Sequence, residues 1–146
     1  MDEKKEITDF DVALKRDGRL VFSPHGTSML PMLRGGQDIA VILPVDDYKL
    51  LKKYDVVFYK RDNGNFVLHR IIAVKNGYFL CCGDNQTWRE KVLPKQIFGR
   101  LAGFYKDNVY TDARSDKEYL KYAKRRVASR LFRKIVGKTK RILAPK

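Results

Sequence analysis

The chain has little of what metal or redox chemistry needs. Its only cysteines are the neighbours Cys81 and Cys82, and its only histidines are His25 and His69. Adjacent cysteines seldom pair, because the disulfide geometry is strained. Without a C-x-x-C spacing a zinc site has almost no donors. The two thiols read as small apolar strand residues, in keeping with a reducing compartment. A zinc site is therefore poorly supported. Long hydrophobic runs are missing too, and none approaches the ~18 apolar residues of a membrane-spanning helix. The opening Met1-Asp2-Glu3-Lys4-Lys5-Glu6 is charged and lacks the apolar stretch of a secretory signal. Together these absences predict a cytoplasmic protein.

Acidic residues are absent from one end. Tyr119 to Lys146 contains eleven Lys/Arg and no Asp/Glu, so the other 118 residues carry only +3 of the net charge of +14. The excess is local and belongs to a tail.

What is present is a globular composition, with 44% hydrophobic residues in 146, enough for one domain with a core. Residues 1–18 form an N-terminal segment, in which Glu6 to Arg16 suggests a short helix. Residues 19–112 read as a β core. Strands are expected at Arg19–Phe22, Gln37–Leu43, Asp55–Lys60, Phe66–Val74, Tyr78–Cys82, Gln96–Tyr105 and Val109–Tyr110. Asn63-Gly64 and Asn76-Gly77 supply hairpin turns. Closely spaced strands without alternating helices predict a mainly β, barrel-like or folded-sheet body rather than a βαβ fold. Residues 113–146 change period: Leu120, Ala123, Val127, Leu131, Ile135 and Ile142 recur at helical spacing. Ser115 with Glu118 offers a capping box, and Gly137 a place to bend or stop.

Two stretches carry chemistry. Pro24-His25-Gly26-Thr27-Ser28-Met29-Leu30-Pro31 frames a serine in a Gly/Pro loop. A serine hydroxyl becomes a useful nucleophile when a base takes its proton, and acyl transfer needs amide donors for the developing oxyanion. Gly26, Thr27 and Ser28 suit that loop, and Pro31 restrains its far side. Val67-Leu68-His69-Arg70-Ile71-Ile72 holds a histidine in a β-branched run, where a half-buried imidazole stays neutral and serves as a base. On their own, the serine reads as one turn residue among several and the histidine reads first as a satisfied core residue. Arg70 alternates to the other face of the strand and is expected to pair with a carboxylate. Asp84, in Gly83-Asp84-Asn85, and Glu90 are the acids available to orient His69, and the sequence leaves the choice between them open.

The order of these boxes resembles the superfamily of type I signal peptidases and LexA-like self-cleaving repressors. Gly26 to Leu33 looks like its G-x-S-M-x-P-x-L nucleophile box. Gly36-Gln37-Asp38 to Leu43 resembles the following strand, and Tyr54-Asp55-Val56-Val57-Phe58-Tyr59 the G-D-[IV]-V-x-[FY] box with Tyr54 in place of glycine. His69-Arg70-Ile71-Ile72 falls where bacterial signal peptidases carry Lys-Arg-Val, and histidine there is the archaeal and endoplasmic-reticulum pattern. Gly83-Asp84-Asn85 and Ile97-Phe98-Gly99-Arg100 match the closing boxes. The match spans about Val21 to Phe104. The resemblance implies a folded all-β catalytic core, Ser28 as nucleophile, His69 as general base, and no metal and no cofactor; the residues themselves add Asp84 or Glu90 behind His69, an oxyanion loop of Gly26, Thr27 and Ser28, and substrate contacts at Met29 and Pro31. Where that pattern carries paired acids, this chain reads Arg89-Glu90, and the usual N-terminal membrane anchor is missing. The expected activity is a serine endopeptidase processing a leader or similar peptide or protein. The alternative is a non-catalytic peptide-, membrane- or nucleic-acid-binding module on the same fold.

Three uses fit the basic tail. It docks on the core with its cations solvated, or lies on an anionic membrane with Leu131, Phe132, Ile135 and Leu143 at the interface, or binds nucleic-acid phosphates. No DNA- or RNA-binding motif accompanies it, so the membrane ranks above nucleic acid.

Overall fold

Alternating apolar residues in short segments build one antiparallel sheet in the computed structural model, which describes residues 10–143 and side chains 10–139. Helix α1 (Phe10–Asp17) leads into β1 (Leu20–Phe22) and β2 (Ile39–Pro44). The strands β3 (Val56–Lys60), β4 (Phe66–Lys75), β5 (Tyr78–Cys82), β6 (Glu90–Val92), β7 (Ile97–Lys106) and β8 (Val109–Asp112) follow. Helices α2 (Lys117–Ala128) and α3 (Arg130–Leu143) close the chain. The sheet order is β1-β2-β7-β3-β4-β5-β6. β8 pairs with the second half of β7, beyond the residues that β3 occupies.

Period-two alternation divides the interior in two. Val56 and Phe58 point into a cluster with Leu14, Met32, Ile42, Leu68 and Phe104. Val57 and Tyr59 point into another with Ile71, Phe79, Cys81 and Val92. Bulges, including one between Ile71 and Ala73 in β4, fold the sheet around both clusters. Cys81 and Cys82 are buried free thiols.

Several local expectations are corrected. β6 was not among the expected strands. The C-terminal segment is two helices, broken at Ser129 rather than at Gly137. The Ser129 hydroxyl donates to the Arg126 carbonyl (3.0 Å), a local bond that competes with the helix ladder. Asp116, not Ser115, caps α2 by accepting from the Tyr119 amide. Of the N-terminal helix expected from Glu6, residues 6–9 lie outside the described residues.

Tyr54 has φ +84°, a left-handed backbone that glycine adopts without cost. Its amide donates to the Ile71 carbonyl (2.9 Å) and its own carbonyl accepts from Arg70 Nη1 (2.8 Å). Both bonds hold the tyrosine where the resembling box has glycine.

Candidate active site

β4 presents His69 and Arg70 to opposite faces of the sheet. Each is buried, and each takes its own acid. On one side Arg70 Nε donates to Asp84 Oδ1 (2.7 Å) and Nη2 to Oδ2 (2.8 Å). Tyr122 donates its hydroxyl to Asp84 Oδ2 (2.7 Å), and the Tyr119 hydroxyl accepts from Arg70 Nη1 (3.1 Å). Burial opposes the charge on Arg70, and Asp84 more than restores it. Asp84 is thus committed to a buried, bidentate pair that ties α2 to the sheet. As the acid behind His69 it is corrected: it binds the neighbouring residue, on the opposite face.

On the other side stands Glu90, carried by β6. His69 Nδ1 lies 3.2 Å from the Tyr59 hydroxyl and 3.4 Å from Glu90 Oε1. Tyr59 donates its hydroxyl proton to Glu90, so its oxygen faces His69 as an acceptor. Two acceptors at Nδ1 put the imidazole proton there and leave Nε2 as the basic nitrogen. Nε2 has no protein hydrogen bond among the described residues. Arg61 braces the acid from behind, Nε to Oε2 at 3.1 Å and Nη2 to Oε1 at 3.0 Å. Burial opposes ionisation of Glu90, but the bonds from Arg61 and Tyr59 outweigh it and hold its pKa below the ordinary value. Burial pushes the His69 imidazole down to about 4; Glu90 opposes this and Arg61 adds to it. His69 is therefore neutral at pH 7, as a base must be.

Ser28 sits in the turn before β2, and its loop is anchored at several points. Asn85 donates its amide to the Ser28 carbonyl (2.9 Å) and its side-chain Nδ2 to the Thr27 carbonyl (3.1 Å). Gly83 makes this approach possible, since a Cβ there would stand 2.6 Å from the Ser28 carbonyl oxygen. Gly26 supplies a φ of +86°. At the loop's far end the fully buried Asp38 takes Arg34 through its guanidinium (Nη2 2.8 Å) and its backbone amide (2.7 Å). The anchors all use carbonyls or flanking residues. The amides of Thr27 and Ser28 and the Ser28 hydroxyl make no hydrogen bond among the described residues, leaving donors suited to an oxyanion.

Ser28 and His69 line one cavity of ≈ 600 Å³, within the usual range for ligand sites. They do not hydrogen-bond each other, as is common before a substrate tightens a site. Phe10, Phe22, Phe58 and Phe66 share its wall. Phe10 packs 5.7 Å from Phe22 and 5.2 Å from Phe66, centroid to centroid. β4 pairs with β3 over Phe66–Arg70 but with β5 only from Arg70 onward. The second edge of Phe66–His69 has no strand partner among the described residues.

Of the expected substrate contacts, Met29 lines the cavity while largely buried in the core. Pro31 does not line it. Its carbonyl accepts from Lys106 Nζ (2.9 Å), and the residue shapes the loop instead. The exposed His25 lies on the cavity rim.

Tyr59 and Arg61 escaped the sequence reading. Tyr59 was within reach of it: the Asn63-Gly64 turn sets Val57 opposite His69, so strand alternation puts Tyr59 on His69's face. Arg61 carried no such signal. A third omission is the grip of the C-terminal helices on the Gly83-Asp84-Asn85 loop. Arg126 Nε donates to the Asp84 carbonyl (2.6 Å), Arg130 Nη1 to that of Thr87 (2.7 Å), and Arg133 Nη1 to those of Asp84 and Gln86 (both 3.1 Å).

The chain matches no family model and no curated protein. No helix among the described residues is long and apolar enough to cross a membrane.

Proposed function

We propose that this chain is a serine endopeptidase with the folded-sheet core of the signal-peptidase and LexA-like superfamily, in its histidine-base form. The observation that carries the reading is the orientation of His69. Its Nδ1 is held by Tyr59 and Glu90 and its Nε2 is left unbonded, on the wall of the cavity that Ser28 also lines.

In this mechanism Nε2 takes the proton of Ser28 Oγ as Oγ attacks the substrate carbonyl carbon. The free amide of Ser28, with that of Thr27 beside it, holds the oxyanion. The imidazolium, steadied by Glu90, delivers the proton to the leaving amine. The acyl group remains on Oγ until water, deprotonated by the same nitrogen, releases it.

The unpaired edge of β4 suits a substrate in extended form that adds as a strand beside Phe66–His69. Four phenylalanines on the cavity wall favour a bulky apolar side chain near the scissile bond. The substrate class is a leader-like or precursor peptide, processed on the cytoplasmic side.

The test is covalent labelling by a serine-reactive acylating probe, read by intact mass, together with cleavage of a peptide library. Ser28→Ala should abolish labelling and lower turnover by about 10⁴-fold or more while leaving Tm unchanged. Equal labelling of wild type, Ser28→Ala and His69→Ala overturns the reading. Peptide binding without labelling or cleavage replaces it with the non-catalytic module.

A further inference from the structure

The C-terminal helices turn three arginines inward and an apolar stripe outward. Arg126, Arg130 and Arg133 are occupied by the carbonyls of Asp84, Gln86 and Thr87. Leu131, Phe132 and Ile135 are 61%, 69% and 64% exposed. At 3.6 residues per turn, Leu131 and Ile135 stand one turn apart on one stripe with Phe132 beside them. Lys134 and Lys138, both exposed, border that stripe. Trp88, 59% exposed, follows directly on Thr87, whose carbonyl Arg130 of that helix holds.

Single exposed apolar residues are ordinary, but a contiguous set marks a contact surface. The choice of partner follows from the pairing of the two chemistries. A nucleic acid would engage the lysines and leave the leucine, phenylalanine and isoleucine in water. An anionic lipid surface engages both: apolar side chains enter the boundary between headgroups and acyl chains, and lysines remain level with the phosphates. The chain's +14 charge, concentrated toward this end, adds attraction at a distance.

We propose that α3 is an interfacial helix that seats the protein on an anionic bilayer, with Leu131, Phe132 and Ile135 inserted and Lys134 and Lys138 at the headgroups. The same two helices grip the loop whose Asn85 holds the carbonyls of Thr27 and Ser28, so seating brings the cavity to the membrane surface. The proposal stands on the exposed stripe and does not depend on the peptidase reading.

The full chain is sedimented with phosphatidylcholine vesicles and with vesicles that also contain phosphatidylglycerol, at physiological ionic strength. Binding is expected to the anionic vesicles alone. The triple variant Leu131→Ser, Phe132→Ser, Ile135→Ser should partition about a hundredfold more weakly with an unchanged Tm, since all three side chains face solvent. Lys134→Glu with Lys138→Glu should weaken it about tenfold or more. The proposal falls if wild type ignores anionic vesicles, or if the triple variant binds them as well as wild type does. It also falls if duplex DNA at equal phosphate competes the protein off the vesicles. A dimer in sedimentation velocity that the triple variant abolishes would assign the stripe to a second copy of the chain instead.

Discussion

His69 and Arg70 are neighbours in the chain, yet they sit in two regions of different character. The Arg70 side is closed. Its guanidinium meets a bidentate carboxylate, a backbone carbonyl and two tyrosine rings, with centroids 5.5 and 5.8 Å away. The His69 side is open at one atom. Tyr59, Glu90 and Arg61 satisfy everything except Nε2. A buried ion pair whose guanidinium donors are all taken can only hold structure together. A buried base with one free lone pair beside a cavity can also act. The same stretch of β4 thus carries a saturated ion pair on one face and an imidazole with one open nitrogen on the other, and the difference lies in which atoms are left unpaired.

Damage on the closed side should appear in stability. Asp84→Asn removes the counter-charge of a buried guanidinium, and an uncompensated buried charge costs about 3–5 kcal/mol. The expected reading is a fall in Tm of about 10 °C or more. A Tm within a degree of wild type would mean that the pair carries little of the fold.

Damage on the open side should appear in rate. Glu90→Gln keeps the shape but no longer steadies an imidazolium, and kcat for peptide cleavage should fall about 10²–10³-fold, or about 3–4 kcal/mol of barrier. Glu90 is a quarter exposed, and weakening its bonds from Arg61 and Tyr59 should cost about 1–3 kcal/mol of stability, less than the loss at Asp84. Loss of Tm without loss of rate would exchange the roles of the two acids.

Acid should act on His69 through protonation. Its pKa is about 4 in the fold against 6.5 for the ordinary side chain. Between those values the unfolded chain binds the proton and the native one does not. The stabilisation is complete above pH 6.5 and is lost as pH falls through 4, at most about 3 kcal/mol. Denaturant unfolding of wild type and His69→Gln from pH 7 to 4 isolates that share. The same low pKa keeps the base unprotonated, so kcat/KM should hold from pH 7 down to about 5.

The smallest effect should come at Tyr54, whose carbonyl helps hold Arg70. Tyr54→Gly relieves a left-handed backbone and should raise stability by about 0.5–1 kcal/mol, the gain being trimmed by the greater freedom of glycine when unfolded. A lower Tm would show that the tyrosine ring contributes more than its backbone costs.

The β framework was legible because its signals are local. Asn63-Gly64 and Asn76-Gly77 mark two hairpins, and both form as read. Strand alternation alone separates His69 from Arg70. β6 was missed because Glu90-Lys91-Val92 is short and mostly charged, and it becomes a strand only by pairing with β5. The assignment of the acids was out of reach for a related reason. Asp84 and Glu90 are six residues apart in one polar stretch, and only the turn between β5 and β6 decides which face each one meets. The break at Ser129 has no proline or glycine to announce it. The inward arginines of α2 and α3 were hidden because their partners are carbonyls, which every residue carries.

That last point makes the loop between β5 and β6 unusually free to change. Arginines that hold main-chain oxygens are indifferent to the side chains those residues display. Positions 86, 87 and 88 can be rewritten, altering what Gln86 shows to the cavity, with the moorings of the loop left intact. A library confined to these three sites would vary selectivity without loosening the scaffold that carries it.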